Sequence, residues 1–71
     1  MAKLVNLKIE RIKAGLTQKE VAEKLNVSIN TVSNWETGAK KITVDKLLTL
    51  ADMFGVSTDY LLGRNQENKR G

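Results

Sequence analysis

Helix starts and helix stops alternate along this chain, and nothing else in it constrains the fold as tightly. Gly15, Gly38, Gly55 and Gly63 each follow a helix-compatible segment, the position where a left-handed residue closes a helix. Thr17-Gln18-Lys19-Glu20 has the form of a capping box, with Thr at the N-cap and an acid three residues on. Ser28, Thr43 and Ser57 stand at the starts of later segments, where a short hydroxyl side chain satisfies an orphan backbone N–H. The spacing predicts five helices, over 4–14, 18–25, 29–37, 44–53 and 58–62. No strand-like alternation persists beyond a few residues, and short links such as Asn26-Val27-Ser28 suit a compact all-α bundle.

Apolar spacing fills in the core. Val21, Ala22 and Leu25 form a stripe on the second segment, and Val44, Leu47, Leu48 and Ala51 form one on the fourth. The first segment has two apolar sides. Leu4, Leu7 and Ala14 share one with Arg11, while Val5, Ile9 and Ile12 line another. One side must face the core; the other is covered by the last helix or forms a partner surface. Residues 1–63 make one domain, and 64–71 (RNQENKRG), without an apolar side chain, are expected to be a charged, disordered tail.

Composition excludes whole classes of function. With no His and no Cys in 71 residues there is no disulfide and no usual zinc set. Without those residues, a glycine-rich phosphate loop or clustered carboxylates, no catalytic set can be assembled, so the chain is expected to be no enzyme and to need no cofactor. A domain this small also has no room for a ligand-sensing part, so no small-molecule ligand is expected. No apolar run approaches the roughly 18 residues of a membrane span, and a signal-peptide core is lacking; the chain is expected in the cytoplasm. The net charge of +4 favours an anionic partner. It divides as +3 over residues 1–25, −1 over 26–63 and +2 over the tail.

The third segment, SINTVSNWETG (28–38), draws heavily on weak helix formers. Wound at about 100° per residue, Val32 and Trp35 point one way, and Asn30, Ser33, Asn34 and Thr37 lie opposite. Exposed helix faces are ordinarily filled with Lys, Glu and Arg. This face is polar, uncharged and short-chained, with donors and acceptors together. Asn pairs bidentately with adenine, Ser and Thr serve several bases, and Ile29 at the edge suits a thymine methyl. Trp35 is assigned to packing rather than to base stacking, because it points to the same side as Val32.

The segments at 18–25 and 29–37, joined by three residues, have the form of a helix-turn-helix. Ala22 allows close crossing of the two helices, and Asn26 tolerates the positive φ that the turn needs. Residues 7–63 resemble the phage-repressor or Cro/C1-type (XRE) helix-turn-helix family, through GLTQKEVAEKLNVSINTVSNWETG (15–38) and LLTLADMFGVSTDYLLG (47–63). Asn26 stands where that family often has Gly, and Glu10 where it often has an aliphatic residue.

The resemblance implies a five-helix lambda-repressor-like fold with the helix-turn-helix in helices two and three. It implies a sequence-specific transcriptional regulator of bacterial or phage origin, most simply a repressor. Ser28, Ile29, Asn30, Ser33 and Asn34 would read bases in the major groove. Thr17, Gln18, Thr37, Lys40 and Lys41 would contact phosphates, although Lys40-Lys41 also reads as a solvated loop. Arg11 and Glu36 match a pair that forms a partly buried salt bridge. Val56, Tyr60, Leu61 and Leu62 either close the bundle against the first helix or make a homodimer contact, or do both. A dimer would read two-fold symmetric half-sites on double-stranded DNA, with recognition helices about 34 Å apart. The competing reading is a protein-interaction module on the same fold, such as an antitoxin or an antirepressor-controlled subunit.

Overall fold

The structure is a computed structural model that describes residues 4–63. They form α1 (Val5–Lys13), α2 (Gln18–Leu25), α3 (Ile29–Thr37), α4 (Val44–Phe54) and α5 (Thr58–Leu61), with no strand among the described residues. The expected tail at 64–71 lies outside them.

Local chemistry sets the helix starts. Thr17 Oγ1 accepts the Glu20 N–H at 3.0 Å and Glu20 Oε1 accepts the Thr17 N–H at 2.8 Å, completing the capping box. Ser28, Thr43 and Ser57 accept the N–H groups of Thr31, Lys46 and Tyr60 at 3.1, 3.3 and 3.0 Å. Each such cap stabilises its helix by about 1 kcal/mol. Only α1 begins differently: Leu4 has no capping side chain, is buried, and its own N–H donates to Trp35 O at 3.2 Å. That bond ties the start of α1 to α3.

Two left-handed residues set the helix-turn-helix. Asn26 closes α2 at φ 61°, and Gly38 closes α3 at φ 85°. After Asn26 the chain turns back, with the Val27 N–H donating to Ala22 O at 2.9 Å, the long bond of a Schellman close. Lys46, near the start of α4, adds its ammonium to the exposed end of α2 by donating to Leu25 O at 3.0 Å, a cation at the negative pole of a helix.

The core holds Leu4 and Leu7 before and on α1, Val21, Ala22 and Leu25 on α2, Val32 and Trp35 on α3, Leu47, Leu50 and Ala51 on α4, and Leu61 on α5. On α1 it is therefore the Leu4–Leu7–Arg11 side that faces inward, although Ala14 at its end is exposed, and Val5, Ile9 and Ile12 are left outside. The stripe expected on α4 is corrected. Val44 and Leu48 are 72% and 56% exposed, and Leu50 takes the buried position. At about 100° per residue, Leu47, Leu50 and Ala51 span an arc of about 100°, and Val44 and Leu48 lie at or beyond its edge.

Candidate nucleic-acid interface

Val32 and Trp35 are 0% and 4% exposed, so they fix the rotation of α3 and turn its opposite face outward. There Asn30 and Thr37 are exposed, Ser33 and Asn34 are half-buried, and Ile29 is exposed at the N-terminal edge. Among the described residues, no side-chain hydrogen bond engages Asn30, Ser33 or Asn34; the side-chain bonds of this helix involve Ser28, Thr31, Glu36 and Thr37. Ser28 differs from its neighbours. Its Oγ caps Thr31 and also shares a hydrogen bond with Thr31 Oγ1 at 2.9 Å, so this hydroxyl is already committed to the helix start.

Glu36, almost at the C-terminal end of α3, is only 8% exposed. A carboxylate there meets the negative end of its own helix and pays a desolvation cost besides. Arg11 answers both. Its Nε donates to Glu36 Oε2 at 2.7 Å, its Nη2 to Glu36 Oε1 at 3.3 Å, and its Nη1 to Leu16 O at 2.9 Å. Gln18 Nε2 adds a bond to Glu36 Oε1 at 2.9 Å. The Gln18 contact links the first residue of α2 to the last turn of α3, and spacing alone did not reveal it. The signal for it was that Glu36 is the only charge in 28–38.

Of the two amide hydrogens of Gln18, Glu36 takes one and the other remains a donor. Beside it, the first-turn N–H groups of Gln18 and Lys19 have no intrahelical acceptor, as at any helix start. Beyond α3, the loop folds back so that the N–H groups of Gly38 and Lys40 and the Thr37 hydroxyl all donate to Asn34 O, at 3.0, 3.3 and 3.3 Å. Lys40 and Lys41 are thereby held at the end of α3 with their side chains exposed. Thr17 and Gln18 thus sit at the start of α2 and Thr37, Lys40 and Lys41 at the far end of α3, and the Gln18–Glu36 bond brings those two ends together.

At the C-terminal end of the domain, Leu61 takes the bundle-closing role of the two open to it. Leu61 is 0% exposed within its own chain and has no surface to offer a second copy; α5 is a single turn, and this residue is its anchor in the core. Val56, Tyr60 and Leu62 are half-buried around it. Leu62 also lines a groove of about 420 Å³ with Leu4, Lys40, Lys41, Ile42, Val44 and Leu47. On its other side Tyr60 closes α5 against α1. Asn6 Nδ2 donates to Tyr60 O at 2.6 Å and Tyr60 Oη donates to Glu10 Oε2 at 3.0 Å. Glu10 therefore works as a hydrogen-bond acceptor where an aliphatic residue would only pack. Burial, and then the bond to Glu10, raises the pKa of Tyr60 above its ordinary 10.0.

No helix among the described residues is long and apolar enough to cross a membrane. The helix-turn-helix family profile matches residues 7–61. Over 64 residues the chain is 50% identical to the HTH-type transcriptional regulator ImmR of Bacillus subtilis (strain 168), covering 90% of this chain and 50% of that protein. It is 36% identical over 59 residues to the HTH-type transcriptional activator BcrR of Enterococcus faecalis, covering 80% of this chain and 29% of BcrR. A crystal structure of a transcriptional regulator from Listeria innocua superposes with a TM-score of 0.76 at 38% identity, over 82% of this chain and 54% of that one. The chain thus spans half or less of the length of these curated relatives.

Proposed function

The chain belongs to the Cro/C1-type helix-turn-helix family, and on that premise we propose that it is a sequence-specific regulator that inserts α3 into the DNA major groove. The observation that carries this reading is the outer face of α3. Among the described residues, the side chains of Asn30, Ser33 and Asn34 make no hydrogen bond, on a helix held from beneath by Val32, Trp35 and the Glu36 clamp. Ile29, Asn30, Ser33 and Asn34 read base edges; Ser28 stands among them chiefly as the cap that orients the helix start. Thr17, Gln18, Thr37, Lys40 and Lys41 hold phosphates and set the register, with the N-termini of α2 and α3 adding their dipoles.

A homodimer supplies the second half-site. Its contact surface is Val56, Tyr60 and Leu62, continued by Val44 across the groove, and it excludes the buried Leu61. The dimer acts in the cytoplasm as a repressor, by occupying a two-fold symmetric operator and excluding polymerase.

Selection of bound sequences from a random double-stranded DNA pool tests the reading. Enrichment of a two-fold symmetric consensus is the expected result. A pool without enrichment sinks it and favours the protein-interaction module, for which the exposed Val44 and Leu48 are the natural starting surface.

A further inference from the structure

Val5, Ile9 and Ile12 are 52%, 42% and 58% exposed on α1. Single exposed apolar residues are ordinary, but these three are not scattered. At about 100° per residue they fall within about 60° of one another and run along α1 as one seam. Every other direction around α1 is accounted for. Leu7, Arg11 and Leu4 face the core and the Glu36 clamp, and Asn6 and Glu10 face α5. The seam lies roughly opposite Leu7, away from α3 and from the start of α2.

Its borders are basic. Lys8 lies on one side of the seam and Lys13 on the other, both exposed. Lys13 reaches back to Glu10 at 3.3 Å, but it stays 68% exposed while the Glu10 side chain is 12% exposed and turned toward Tyr60. Solvent therefore meets an apolar strip between two cations. From Val5 to Ile12 the strip is about 10 Å long, the rise of about two helical turns.

We propose that this seam is a docking surface for an acidic amphipathic helix of another protein. The partner's apolar positions, spaced three and four apart, lie on Val5, Ile9 and Ile12, and its flanking carboxylates meet Lys8 and Lys13. A second copy of the chain is the poorer occupant. Two such helices packed face to face bring lysines against lysines, and like charges across a contact disfavour pairing. Because the seam points away from α3, the partner can be bound while α3 is engaged. This inference stands on α1 alone and does not depend on the DNA reading.

The test is an amide-shift NMR titration of the full chain with a synthetic helical peptide of about four turns, carrying a leucine seam flanked by Glu. A control peptide carries Lys in place of each Glu. Shifts confined to α1 are expected, with the control at least ~tenfold weaker. The double variant Ile9→Ser/Ile12→Ser should lose the peptide while keeping its melting temperature, since Ile and Ser have similar helix propensity. Equal binding of both peptides overturns the proposal, as do shifts centred elsewhere or binding that survives the double variant. Seam shifts produced instead by phosphatidylglycerol vesicles, or by raising protein concentration alone, also overturn it, in favour of a lipid surface or a second copy.

Discussion

Gln18 Nε2 and Glu36 Oε1 are 2.9 Å apart, so the residue that opens α2 shares a hydrogen-bonded carboxylate with the last turn of α3. The same carboxylate holds Arg11. One buried group therefore fixes three helices, two of which carry the residues assigned to DNA. Truncating it leaves an uncompensated guanidinium whose side chain is only 12% exposed. Glu36→Ala should cost about 3–5 kcal/mol, a large part of the stability of so small a domain. Replacing both partners, as in Arg11→Met/Glu36→Leu, should cost much less. Urea midpoints of the two variants check the difference, and equal losses would show that the pair is not what holds the helices.

Asn30 is exposed on the outer face of α3 with no side-chain hydrogen bond among the described residues. Asn30→Ala should leave folding unchanged, weaken the selected site by about 1–3 kcal/mol and relax preference at a single base pair. Competition binding against single-base variants of the site measures this. Uniform loss over all sequences would move Asn30 from base reading to backbone contact.

Lys41 gives the contrasting signature. It lies on the loop that folds back onto Asn34 O through Lys40, and a phosphate contact there carries no sequence information. Lys41→Ala should weaken selected and unrelated DNA alike and reduce the slope of log affinity against log salt by about one. An unchanged slope would return the lysine to the solvated-loop reading.

What the sequence made legible, and what it did not, follows the range of the interactions. Helix starts at Thr17, Ser28, Thr43 and Ser57 depend on partners three residues away, and those are readable. The positive φ at Asn26 is equally local. The placement of Val44, Leu48 and Leu50 was not readable, because an apolar arc wider than the contact leaves its rotation open until α2 and α5 are in place. Leu61 and Leu62 show the limit most plainly. They are adjacent and equally apolar, the last residue of a single-turn helix and its C-cap, in an element too short for any periodicity, yet one is wholly buried and the other lines a groove. Glu36 was readable as the partner of Arg11 only through family resemblance, and its bond to Gln18 was not.

Tyr60 ties α5 to α1 through Glu10, and its folded pKa lies above the 10.0 of the unfolded chain. Above pH 10 the unfolded state releases the phenolic proton first, so unfolding becomes progressively easier. The contribution is complete below that pH and disappears as pH rises through the folded value. Tyr60→Phe removes the titrating group along with its hydrogen bond. The variant should be less stable at neutral pH, and its stability should fall less steeply than that of the parent above pH 10. Denaturant unfolding at a series of alkaline pH values tests this, and parallel curves would mean that Tyr60 does not titrate differently on folding.

Leu61 and Leu62 separate folding from assembly. Leu61 is 0% exposed, so Leu61→Ala creates a cavity and should cost about 2–5 kcal/mol of stability. Leu62 lies on the groove shared with Val44 and Leu4, on the surface assigned to the second copy. Leu62→Glu sets two carboxylates against each other across a two-fold axis, where like charges disfavour pairing. It should keep most of the melting temperature and bind an isolated half-site normally. On a paired site it should lose cooperativity, leaving binding no tighter than two independent half-sites predict. Mobility-shift titrations on single and paired half-sites read this directly. Cooperative binding that survives Leu62→Glu would place the dimer contact on another face of the domain.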